Sequence, residues 1–178
     1  LSIQAKLDNA GLFVPQLPGP AELNLEVSQP TGRLGIDANL RATELSATAT
    51  GALAEPEDRL SIEVNLARLS AFAPDLAGGA RLSGDVSALR TTPVLNLTLR
   101  TDSGASARLL GLVAAGGQGT NLSVQGDLPL ALAAPFVGDR SISGDVRFDL
   151  ALRDALSLAA LSGQVQMTGA RVFAPIAN

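Results

Sequence analysis

Apolar and polar residues alternate along most of this chain, and that pattern limits it to one kind of backbone. Ile142, Gly144, Val146, Phe148, Leu150 and Leu152 alternate with Ser143, Asp145, Arg147, Asp149 and Ala151. A period of two belongs to a strand with one apolar face and one wet face. A short phrase recurs at strand openings: Ser83-Gly84-Asp85-Val86, Ser143-Gly144-Asp145-Val146 and Ser162-Gly163-Gln164-Val165. The expectation is a repetitive, mainly β structure.

Strand patterns follow one another, separated by Gly-, Pro- and Asp-containing turns. Leu23, Leu25 and Val27 lead to a turn at Gln29-Pro30-Thr31-Gly32. Leu34, Ile36, Ala38 and Leu40 follow, then Leu45, Ala47, Ala49 and Gly51. Leu60, Ile62, Val64 and Leu66 form the clearest strand of the first half, with Ser61, Glu63 and Asn65 on the other face. The rhythm resumes through Leu82, Val86, Leu95, Leu97, Leu99, Ala105, Ala107, Leu109, Leu122 and Val124, and ends in Ile142–Leu152 and Leu161–Met167.

Two segments break the period. Ala67–Leu76 and Pro129–Val137 set Leu, Ala and Phe at near-helical spacing and read as short helices or helical turns, ended by Pro74 and Pro135. Each precedes a Ser-Gly-Asp-Val strand, which gives loose repeat units at about 67–126 and 127–178. The chain begins and stops inside this rhythm and reads as one fragment, residues 1–178, of a larger repetitive β domain. Gly84, Gly144 and Gly163 fall on the apolar register. There they allow bend or close backbone approach, or else mark plain bulges.

Composition narrows the chemistry. The chain has neither His nor Cys, Trp nor Tyr, which removes imidazole and thiolate nucleophiles and the commonest zinc ligands. The net charge is −4 and the charges are scattered singly, without the basic stripe that nucleic acid requires. Leu and Ala dominate an aromatic-poor composition, and Arg outnumbers Lys twelve to one. An aliphatic lining or a biased genome accounts for the first trend, and the Arg excess supports the bias. The absence of Cys suits an oxidising compartment such as the periplasm and is also common by chance. No apolar run approaches the ~20 residues of a membrane helix.

Three local motifs read as structural. Asp145 and Asp149 stand about 13 Å apart along one strand, wider than a glycosidase pair. Glu55-Pro56-Glu57-Asp58 lacks the donor spacing of a calcium loop and reads as a solvated turn. Gly116-Gly117-Gln118-Gly119 has no Lys-Ser/Thr after it and no βαβ frame, so it reads as a hairpin loop. No catalytic residue, cofactor or metal is expected.

What remains is the apolar face. Its expected lining is Leu23, Leu25, Val27, Leu34, Ile36, Leu60, Ile62, Val64, Leu66, Leu95, Leu97, Leu99, Leu122, Val124, Ile142, Val146, Phe148, Leu150, Val165 and Met167. Covered by a second sheet, these residues are a sandwich core. Left open, they are a surface larger than soluble monomers carry without a ligand or partner. Alternation alone leaves both arrangements standing.

The runs Leu128-Pro129-Leu130-Ala131-Leu132-Ala133-Ala134-Pro135-Phe136, Ser141–Leu150 and Leu161–Val172 resemble the C-terminal region of the TamB family, in the AsmA-like superfamily of Gram-negative envelope proteins. The likeness is sharpest from about Ala67 onward, in an Ala- and Arg-rich, alphaproteobacterial-like dialect. It implies a long curved sheet, antiparallel or mixed, forming an open taco-like hydrophobic trough. It also implies anchorage in the inner membrane, a place in the periplasm, and partnership with the outer-membrane barrel TamA. The implied function is transfer of phospholipids, with their acyl chains in the groove. The alternative is a scaffold that assembles unfolded outer-membrane proteins by strand addition. A closed structural stalk is the remaining reading.

Overall fold

The computed structural model describes residues 1–29, 33–52, 55, 57–72, 76–87, 92–114, 119–132, 141–154 and 160–173. These form one eleven-stranded sheet in strict sequence order: β1 (Ser2–Leu7), β2 (Ala21–Ser28), β3 (Gly35–Ala42), β4 (Leu45–Ala52), β5 (Arg59–Leu66), β6 (Ala80–Ser87), β7 (Val94–Thr101), β8 (Ser106–Leu112), β9 (Asn121–Pro129), β10 (Ser141–Arg153) and β11 (Leu161–Phe173). Every neighbouring pair is antiparallel, so of the two expected arrangements the antiparallel one holds. The sheet is open and uncurled, with β1 and β11 as its edges, and its strands form no second sheet for a sandwich. The chain exposes 11465 Å², where a compact monomer of 18.1 kDa exposes about 8,100 Å².

Of the two readings of the segments that break the period, short helices or helical turns, the described residues show the helical turn, of 3-10 type. Among its described residues Ala67–Leu76 yields Leu69–Ala71, with 73–75 outside them, and the second segment yields a turn at 130–132, with 133–137 outside the described residues. So short a run cannot repay helix nucleation, and a proline stands five residues after each turn begins. A third such turn, Ala10–Leu12, precedes β2. The Asn9 carboxamide holds its loop together, accepting from the Gly11 and Gly19 N–H groups at 2.9 and 3.1 Å. The Ala10 N–H donates to the Gly19 carbonyl at 2.7 Å, and Leu69 donates to Gly78 in the same way at 2.7 Å.

That equivalence marks a repeat of four strands. Leu7, Ala10, Phe13, Pro15, Leu17, Gly19, Leu23 and Val27 align at a constant offset of 59 with Leu66, Leu69, Phe72, Pro74, Leu76, Gly78, Leu82 and Val86. One unit is a helical turn followed by β2–β5, the next a helical turn followed by β6–β9, and a third opens with β10 and β11. β1 reads Ser-Ile-Gln-Ala-Lys-Leu against Ser-Ile-Glu-Val-Asn-Leu in β5 and Ser-Val-Gln-Gly-Asp-Leu in β9. It is therefore a fourth-position strand.

The glycines of the recurring phrase have different roles. At Gly84 the register of β6 is continuous on both sides, φ is +152°, and an added Cβ would lie 1.9 Å from the Asn96 carbonyl oxygen. Gly144 instead faces a bulge: Ser143 pairs with Arg171 and Asp145 with Thr168, which leaves Gly169 and Ala170 opposite one residue. Gly169 has φ +64°, as a bulge of this kind requires.

The turn before β5 departs from a purely solvated one. The Asp58 side chain is only 5% exposed; it bridges Arg33 at 3.1 Å and accepts from the Glu55 N–H at 2.9 Å. Thr120, in the same place before β9, accepts from the Ala114 N–H at 3.2 Å. Asp58→Ala is expected to cost about 1–2 kcal/mol. Amide exchange should quicken at Glu55 while β9 keeps its protection.

Candidate functional site

Register turns the alternation into continuous rows. One runs across all eleven strands: Ile3, Leu25, Ala38, Ala49, Ile62, Gly84, Leu97, Leu109, Val124, Leu150 and Gly163. Beside it run Ala5, Leu23, Leu40, Ala47, Val64, Leu82, Leu99, Ala107, Gly126, Phe148 and Val165. A third row, from β2 onward, is Val27, Ile36, Gly51, Leu60, Val86, Leu95, Gly111, Leu122, Leu152 and Leu161. These three rows contain no polar side chain.

Fifteen residues of the expected lining are thus gathered into the three rows, and Leu66, Val146 and Met167 join them at the margin. Leu66 pairs with Leu45 and Ala80, and Val146 with Leu128 and Met167, in a shorter fourth row. Ile142 faces Val172 beyond the bulge. Leu34 lies in the connection before β3 rather than in the strand. The expected lining omits Ile3, Ala5 and Leu7, because a six-residue strand at the start of the chain offers too few periods to stand out. The similar patterns of β5 and β9, each a Ser followed by apolar residues at every second position and ending in Leu, were the available signal.

The opposite face is mainly polar, with Leu110 and Ala151 among its exceptions. One row reads Gln4, Asn24, Asn39, Thr48, Glu63, Ser83, Thr98, Arg108, Gln125, Asp149 and Gln164. Ion pairs cross between neighbouring strands: Lys6–Glu22 at 3.4 Å, Arg81–Glu63 at 3.4 Å and Arg147–Asp127 at 2.9 Å. Asp149 accepts from Gln125 at 3.2 Å, so it serves this lattice. Each such pair contributes about 0.2–1 kcal/mol. At one end of the sheet Arg68 grips Glu44 with two hydrogen bonds, and the hydrogen bond and charge of Glu44 raise the Arg68 pKa further.

The dimensions of the apolar face set its chemistry. Eleven strands span about 48 Å, and eight-residue strands give a width of about 26 Å. The resulting area of about 1,200 Å² exceeds the 300–600 Å² of the largest patch on a typical monomer. Along the rows each strand partly shields the next, while the edge residues Val165 and Met167 remain 60% and 66% exposed. Phe148 lies over Gly126, whose Cβ position is 2.5 Å from the ring Cζ. This aromatic cover restores apolar surface where the row has no side chain. A face of this composition holds hydrocarbon by burial and offers no hydrogen bond to fix a head group. The Gly116–Gly119 loop considered in the sequence lies, apart from Gly119, outside the described residues.

Comparison with family models, with curated proteins and with solved structures gives no match.

Proposed function

We propose that this chain is part of a non-catalytic, lipid-handling sheet, on whose apolar face phospholipid acyl chains rest and move. The supporting observation is the run of unbroken apolar rows from β1 or β2 to β11, backed by a polar face that keeps the other side in water. An acyl chain is about 15 Å long, half the ~30 Å bilayer core. On a track about 4.8 Å wide it covers roughly 75 Å² of protein and hides a similar area of its own. At 25 cal/mol per Å² the gain is about 4 kcal/mol, close to a millimolar dissociation constant. That is weak enough to let a chain pass from one strand to the next.

The proposal includes a curl of the sheet into a trough, for which right-handed strand twist supplies a direction. Resemblance to the TamB family supplies the setting: a periplasmic section of an inner-membrane-anchored protein, working with TamA to move phospholipid between two membranes. A photocrosslinking residue in place of Ile62, in the apolar row, is expected to capture lipid in cells. The same residue in place of Ser61 should not. Equal lipid capture at both positions, or none at Ile62, would refute the proposal.

A further inference from the structure

The polar face is not evenly charged. Across β6, β7 and β8, two adjacent rows of that face hold Arg81 and Ser83, Arg100 and Thr98, and Ser106 and Arg108. These six positions carry three cations and no acid. Arg81 and Arg100 stand directly opposite each other in the β6–β7 pair, and like charges so placed are destabilising. Such a conflict, kept on a lattice whose other charges are largely paired, is what a functional site leaves in a sequence.

The three guanidinium groups part rather than share an acid. Arg81 leans toward β5, donating from Nε to the Asn65 side-chain oxygen at 2.7 Å and pairing with Glu63 at 3.4 Å. Arg108 reaches the Asn96 side-chain oxygen at 3.4 Å. Arg100 remains between them, exposed, with no hydrogen bond or ion pair to any described residue. Beside it lies a recess of about 330 Å³, lined by Arg100, Arg108, Thr98 and Ser106. Both hydroxyl residues are half-buried, and neither side chain has a partner among the described residues. Gln125 and Asp127 line the β9 side of the recess. Asp127 already holds Arg147 at 2.9 Å, so its charge leaves Arg100 unbalanced.

We infer that this recess binds a phosphoryl anion, carried either by a soluble phosphate ester or by a lipid head group. The donors fit that class. A guanidinium fork gives two parallel N–H bonds to an oxyanion, and Arg108 spends only one of its five N–H groups on Asn96. Two forks exceed what the two oxygens of a lone carboxylate need, and the Thr98 and Ser106 hydroxyls can turn to donate to the remaining oxygens of a phosphate. The bound charge would also relieve the repulsion between Arg81 and Arg100. This inference does not rest on the acyl-chain reading, which concerns the opposite face.

The test titrates inorganic phosphate into the 178-residue chain at constant ionic strength and follows the Nε–H signals of Arg100 and Arg108 by NMR. Both signals should shift saturably, and chloride should leave them in place. Arg100→Gln, read at Arg108, should weaken binding at least about tenfold, the loss of a charge-assisted hydrogen bond. Arg100→Lys should recover only part of that loss, because it keeps the charge without the fork. Arg41→Gln is the control: Arg41 also lacks a partner among the described residues, but it stands between Glu22 and Ser46. Its loss should leave phosphate binding unchanged. Dihexanoyl phosphatidic acid and glycerol phosphate present the same group with and without acyl chains. Tighter binding of the first assigns the site to a lipid head group, and equal or weaker binding assigns it to a soluble ester; either result supports the site. No saturable shift with phosphate, or equal weakening by Arg41→Gln and Arg100→Gln, would overturn the inference.

Discussion

Gly84→Ala is expected to disrupt the middle of the sheet, at a cost of about 4 kcal/mol. A non-glycine residue held in so sparse a backbone region costs about 1–3 kcal/mol, and overpacking adds about 1–3 kcal/mol. The intruding Cβ would meet backbone, the Asn96 carbonyl at 1.9 Å, so no side-chain rotation can relieve it. Gly169→Ala is the contrast. Its φ is +64°, and no atom lies within 4 Å of the added Cβ, leaving only the left-handed penalty of about 1–2 kcal/mol. Urea titration of both variants should show the larger midpoint shift for Gly84→Ala, with exchange quickest in β6 and β7. Equal shifts would mean that the close approach of β6 to β7 does not constrain the sheet.

The same glycine shows where sequence reading stopped. In β2 the position equivalent to Gly84 is Leu25, as the rows align them. A search for the Ser-Gly-Asp-Val phrase therefore passes over the first unit. The alignment through Phe13 and Phe72, Pro15 and Pro74, and Gly19 and Gly78 was present, but its meaning depended on knowing that Phe13, Pro15 and Gly19 lie in the connection before β2. Strand identity was legible because alternation acts on every residue: β5 and β10 could be read directly from Leu60–Leu66 and Ile142–Leu152. What covers the apolar face was not legible, since Ile62 alternates identically under a second sheet and in the open. The helical spacing at Ala67–Leu76 left a short helix and a helical turn both open, because three or four apolar residues can match a helical period without the length to support a helix.

The second large effect concerns the face itself. Leu97 sits in the middle of the central row, between Gly84 and Leu109. Leu97→Asp places a carboxylate where a hydrocarbon chain would lie, at a cost of about 3 kcal/mol by membrane-insertion scales. Set against a gain of about 4 kcal/mol per acyl chain, the substitution should weaken fluorescent fatty-acid binding at that strand more than a hundredfold. Thr98→Asp is the matched control. It lies on the polar face, where its cross-strand neighbours are Ser83 and Arg108, so the new charge is solvated and faces a cation. Circular dichroism should report the same strand content for both variants. Loss of binding in Leu97→Asp alone would tie lipid to the apolar rows. Equal binding in both would place the lipid elsewhere, and loss in both would trace the effect to the sheet as a whole.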